Sequence, residues 1–198
     1  MEILESIGLG IGLSAACGFR VFLPLLILSI LGSAGWVPLT SEGMKWIATE
    51  PAVLTFAVAS VLEIIGYLVP WLDHALDTIA TPAAVVAGAL VSVSTMVDLP
   101  PLVRWTVALI AGGGVAGAIQ SVTVLARAKS TTFTGGMANH AIAIGELAGS
   151  LLSVVGALLF PVVVLVLVLI GLFLLLRIRR WLRRRRERPF AVSNYYKQ

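Results

Sequence analysis

Apolar residues follow one another along this chain in long stretches separated by short polar interruptions. The first runs from about Ile3 to Leu31, broken by Arg20 and Pro24, and ends in a turn-rich stretch from Gly32 to Glu50. A second runs from Pro51 to Val69. Pro70 then opens a polar sequence that reads as a loop as far as Pro82, and Ala83 to Met96 forms a short third stretch closed by Asp98-Leu99-Pro100-Pro101. The fourth covers Leu102 to Ala126, followed by a Ser, Thr and Gly-rich connection from Arg127 to His140. The last, Ala141 to Leu176, is too long for a single crossing at 1.5 Å rise per residue and divides near Pro161. Segments of this length and apolarity match the bilayer core. The pattern predicts an all-α integral membrane protein of about six transmembrane helices in residues 1–176, with a basic tail at 177–198.

Composition agrees with that solvent. The chain is 59% hydrophobic and 12% charged, with a mean hydropathy of +1.01, whereas about a quarter of a soluble domain is charged. Eight arginines fall between Arg177 and Arg188, and the remainder carries more acid than base. Beside the last span they hold the tail in the cytoplasm by the positive-inside rule and can meet anionic lipids. Six spans then place both termini on the cytoplasmic side of the membrane. Glu2 and Glu5 stand where a cleavable signal would carry Lys or Arg. The lone cysteine, Cys17, excludes a disulfide framework and a thiolate metal cluster.

Two carboxylates interrupt this apolar background, Glu63 and Glu146, each followed three residues later by a glycine. A charge at the bilayer centre costs at least about 2.5–3.5 kcal/mol, so each either marks a polar site inside a helix bundle or, bonded to a neighbouring helix or to Arg20, only fixes the bundle. Ser60, Glu63 and Tyr67 share one helical face and point the stripe toward Asp73 and Asp77, which either extend the site or are solvated loop acids. Arg20 either pairs with a glutamate, snorkels, or marks a break in the first helix near Gly18. Small residues recur every four positions at Gly10/Ser14/Gly18, Gly113/Gly117/Ser121 and Gly145/Gly149/Ser153, which suits close packing within a chain or between copies in a homo-oligomer. Gly10, Ser14 and Arg20 also match Gly117, Ser121 and Arg127 in spacing, as Glu63 and Gly66 match Glu146 and Gly149. Three spans per half make the expected repeats, 1–98 and 99–176, inverted copies, with both glutamates at a shared central site.

Gly18 to Leu26, the stretch from Glu63 to Pro82, and Thr134 to Asn139 ahead of Glu146 together resemble a bacterial family known as domain of unknown function 4126. The resemblance covers nearly all of the chain except the tail. It implies a small multi-spanning inner-membrane protein and no particular activity. The chain differs from the family pattern at His140, where proline follows the asparagine, and at Arg20, where many members carry asparagine.

Three functions compete. In a transporter or channel for an ion or small solute, Glu63 and Glu146 bind the proton or cation, with Asp73 and Asp77 as a cytoplasmic funnel and Arg20, Tyr67 and Asn139 as further polar contacts. A lipid-phosphate flippase is a variant with a cavity open to the bilayer. An accessory subunit would instead recruit a membrane complex through the arginine tail. A membrane-embedded enzyme is the weakest, because Asp73-His74 and Asp77 stand without a metalloprotease spacing, a nucleophile elbow or a phosphate-cradling loop. No cofactor is expected, and nothing soluble is available to read nucleic acid.

Overall fold

The structure, a computed structural model, describes residues 2–39 and 42–193, with side chains except at 42, 70, 71, 73, 74 and from 182 on. Its helices are α1 (Ile3–Phe19), α2 (Phe22–Ser33), α3 (Glu50–Gly66), α4 (Pro70–Thr95), α5 (Pro101–Val107), α6 (Gly114–Thr134), α7 (Asn139–Leu159) and α8 (Pro161–Ser193). A 3-10 turn at Glu42–Ala48 precedes α3, and a π-helical segment at Ala108–Gly113 joins α5 to α6 in one rod. Four stretches are long and apolar enough to cross a membrane: Ala75–Thr95, Pro101–Thr134, Asn139–Leu159 and Pro161–Trp181, with α1 and α2 shorter. The chain is a multi-pass membrane protein by that measure.

Prolines and glycines set the ends. Pro161 cannot donate a backbone hydrogen bond, and the chain turns at Phe160 (φ −139°, ψ 61°) to start α8 where the sequence predicts a division. Gly135 and Gly136, at φ 62° and 89°, end α6 in a conformation costly to other residues. Two expected loops turn out to be helix. Pro70 opens α4 at a position where its fixed φ is favourable, and α4 continues through Pro82. Residues 127–134 extend α6, with the hydroxyls of Thr132 and Thr134 bonded to the carbonyls of Ala128 and Ser130.

α1 is the hub. Residues 8–18 are all buried, enclosed by α4, α6, α7 and α8. Close approach depends on its small residues: a Cβ at Gly12 would lie 2.6 Å from the Ala157 Cβ, and one at Gly18 would lie 2.6 Å from the Ala116 carbonyl oxygen. The Ser14 hydroxyl bonds the Gly88 carbonyl at 2.6 Å and pairs with Ser92 at 2.7 Å, tying α1 to α4. The small-residue ladders thus serve helix approach in α1 and α6, whereas Gly145 faces open space.

These contacts also fix chain direction. Gly10 faces Ser92 and Thr95 while Ser14 meets Gly88, so α4 runs against α1; Gly88 faces Gly112 and Gly117 faces Val85, so α6 runs against α4. Consequently α1 and α6 run the same way. The openings of the two expected repeats are therefore parallel, which is incompatible with inversion in the register read from sequence. Gly8 faces Pro161 and Gly12 faces Val164, so α8 also runs with α1. Ile3 and Trp181 consequently lie at opposite ends of the bundle, and the fold does not carry the expectation of both termini on one face. The segment between α1 and α4 explains the difference: α2 spans only about 18 Å at 1.5 Å per residue, short of a ~30 Å core, and α3 returns beside its start.

Candidate functional site

The first helix breaks at Arg20, whose backbone is extended (φ −141°, ψ 125°) between α1 and α2. A new helix start leaves backbone N–H groups without intrahelical partners. Glu63 of α3 satisfies two of them, its Oε1 accepting from the Val21 N–H at 2.8 Å and its Oε2 from the Phe22 N–H at 3.1 Å. A carboxylate is the side chain a helix N-terminus favours, because the macrodipole is positive there. Glu63 thereby closes the α2–α3 hairpin at its base.

The break frees Arg20 to turn inward. Its Nη2 donates to the Ala143 carbonyl at 2.9 Å and lies 3.7 Å from Glu146 Oε2 on α7. Arg127 of α6 grips the same carboxylate from two nitrogens, Nε to Oε1 at 3.0 Å and Nη2 to Oε2. On its other side Arg127 Nη1 lies 3.7 Å from Asp77 Oδ1 of α4. Both guanidinium groups sit over the ring of Tyr67 at the end of α3, with Cζ 4.4 Å (Arg20) and 3.7 Å (Arg127) from its centroid. Desolvated cation–π contacts of this kind are the stronger ones. Arg20, Arg127, Glu146, Glu63 and Tyr67 are each buried, and the Asp77 side chain is 12% exposed. Counted as ionised, three carboxylates face two guanidinium groups among the described residues.

Depth follows from helix arithmetic. Asp77, Arg127 and Glu146 each stand seven residues from a helix end on the same side of the bundle (70 to 77, 127 to 134, 139 to 146), or about 10 Å. The cluster lies nearer that end than the midplane, and Asp77 belongs to it instead of forming a separate funnel. Asn139 sits at the end itself, its Nδ2 donating to Thr131 Oγ1 at 3.1 Å across the α6–α7 turn. The Asp73 and His74 side chains lie outside those described. Ser60 is buried on the face it shares with Glu63 and Tyr67, and its hydroxyl has no hydrogen-bond partner among the described residues. Among the described residues, no three His, Cys, Asp or Glu side chains gather as a metal site would need.

Arg127 is the member that sequence reasoning places elsewhere, in a cytoplasmic loop. The signal for it was the matched spacing of Gly10/Ser14/Arg20 and Gly117/Ser121/Arg127: the two arginines do converge on one tyrosine, although their helices are not inverted copies.

A family model matches the chain over residues 7–181. The chain belongs to the family described as Domain of unknown function (DUF4126). The DUF4126 match takes in every residue of the cluster, from Arg20 to Glu146, and ends at Trp181, ahead of most of the arginine tail. No curated protein and no solved structure matches the chain.

Proposed function

We propose that this protein is a small membrane transporter or channel for an ion or small solute, and that the ionic cluster around Tyr67 is its coupling site. The observation that carries the reading is the sharing of Glu146 by two buried arginines, Arg20 at the α1–α2 break and Arg127 on α6. A membrane protein places charges in its interior at high cost, and they mark solute or proton pathways by default. The two glutamates then have different work. Glu63 is committed to backbone N–H groups and holds the hairpin, whereas Glu146 and Asp77 compete for Arg127 and can exchange it when a cation or proton arrives.

In this reading α1, α4, the α5–α6 rod, α7 and α8 cross the membrane, and the α2–α3 hairpin enters and leaves on one side. The arginine end of α8 faces the cytoplasm of a bacterial inner membrane by the positive-inside rule. The cluster then lies about 10 Å inside that surface, and the N-terminus lies on the other. No enzymatic step and no cofactor enter this reading. An accessory role in a larger complex is the second reading, supported by how fully Glu63 is occupied in bracing the fold.

Purified protein in liposomes, assayed for flux of protons, alkali and divalent cations and common anions, tests the proposal. Glu146→Gln is expected to abolish or uncouple any flux that the wild-type protein carries. A flux unchanged in rate and pH dependence in that variant sinks the coupling role, and co-purification with a larger complex in place of any flux favours the accessory reading.

A further inference from the structure

A crevice of about 380 Å³ opens between α1, α6, α7 and α8. Ala15, Phe19, Ile119, Leu152, Leu167 and Leu175 line it, and among the described residues no charged side chain does. Leu152 and Leu167 are 73% and 60% exposed, so the crevice opens outward between spanning helices. Its size falls in the range of small-molecule sites, about 300–1,000 Å³. An apolar hollow of this kind does not hold water, and left empty it forfeits dispersion contacts along its walls. The surrounding membrane supplies apolar chains that can fill it.

Two basic residues continue its walls toward the end of the bundle where α6 stops. Lys129 lies eleven residues beyond Ala118 on α6, three turns on and therefore on the same face. Arg179 lies one turn beyond Leu175 on the crevice face of α8. Both are exposed, and because α6 and α8 run the same way both sit toward the same membrane surface. By contrast Arg127, two residues before Lys129, is buried and turned inward.

We propose that this crevice is a binding site for an anionic phospholipid, one acyl chain lying between α1, α6, α7 and α8 and the phosphate held by Lys129 and Arg179. The occupant follows from the join of an uncharged apolar hollow and a basic pair at its end. A zwitterionic lipid fills the hollow equally well but gains less from the two cations.

The test uses the full chain in vesicles of equal phosphatidylglycerol and phosphatidylcholine, extracted in mild detergent and washed, with retained lipid per protein measured by mass spectrometry. The two cations predict an enrichment of phosphatidylglycerol on the order of thirtyfold. Lys129→Ala/Arg179→Ala, both at exposed positions, is expected to retain the two lipids about equally. Gly171→Leu is expected to retain neither: it lines the crevice, and a Cβ there meets nothing within 4 Å, so the helix tolerates it. Equal retention of the two lipids by the wild-type protein overturns the proposal, as does an undiminished preference in the double variant or undiminished retention in Gly171→Leu.

Discussion

Replacing Glu146 with glutamine removes one negative charge and almost no volume. The side chain is 4% exposed, Arg127 is 3% exposed and Arg20 is 2% exposed, so water can screen very little of the loss. Breaking a buried ion pair by deleting one partner costs about 3–5 kcal/mol, because the remaining charge stays buried. Asp77, 3.7 Å from Arg127, takes up part of that burden, and Tyr67 keeps its contact with both cations. Those two compensations point to the lower part of the range, about 3 kcal/mol. For a chain of this size that corresponds to a fall in Tm of roughly 6–12 °C. Thermal unfolding in a fixed detergent would measure it, alongside Arg127→Gln and the double variant. An interhelical hydrogen bond within a membrane protein averages only about 0.6 kcal/mol by double-mutant cycle. A coupling energy above about 2 kcal/mol therefore identifies a charge pair, and the double variant should be more stable than the two single losses added together. A Tm for Glu146→Gln within about 2 °C of wild type, or additivity across the cycle, would refute the buried pairing.

Glu63→Ala leaves the Val21 and Phe22 N–H groups without their acceptor, at about 1–3 kcal/mol each, whereas Glu63→Gln keeps one acceptor oxygen and should cost about half as much. Thermal unfolding gives the order, and hydrogen exchange should quicken at Val21 and Phe22; equal stability of the two variants would show that the carboxylate does not cap α2. Gly18→Ala brings a Cβ to 2.6 Å from both the Ala116 carbonyl oxygen and the Ile119 Cβ, and should cost about 1–3 kcal/mol. Gly145→Ala meets nothing within 4 Å and should be neutral or stabilising by up to about 1 kcal/mol, so equal melting shifts for the two would contradict the packing of α1 against α6.

Features that depend on one residue's own chemistry were legible in the sequence. The division at Pro161 follows from a missing N–H, and a break in the first helix was one of three readings that Arg20 in mid-segment left open. The polar stretches at 70–82 and 127–134 were misread as loops because local composition competes with tertiary packing there. Once Asp77 and Arg127 pair between α4 and α6, helix that looks too polar for a span is held within one. Direction was the least legible property. Matched spacings at Arg20 and Arg127 flagged two residues that do share Tyr67 and Glu146, yet spacing cannot say whether α1 and α6 run together or opposed. That is set by which small residues face each other, as at Gly10 and Ser92 or Gly18 and Ala116.

The π-helical turn at Ala108–Gly113 separates two quantities that an ordinary helix locks together. A regular α-helix rotates about 100° for each residue added, so length and angular phase cannot be chosen independently. A wider π turn absorbs extra residues without adding a proportionate rotation. α5, before it, has no buried residue, whereas α6, after it, turns Gln120, Thr123 and Arg127 inward. The segment works as a vernier between the two: it sets the phase at which Arg127 reaches Tyr67 while α5 keeps its own outward-facing phase.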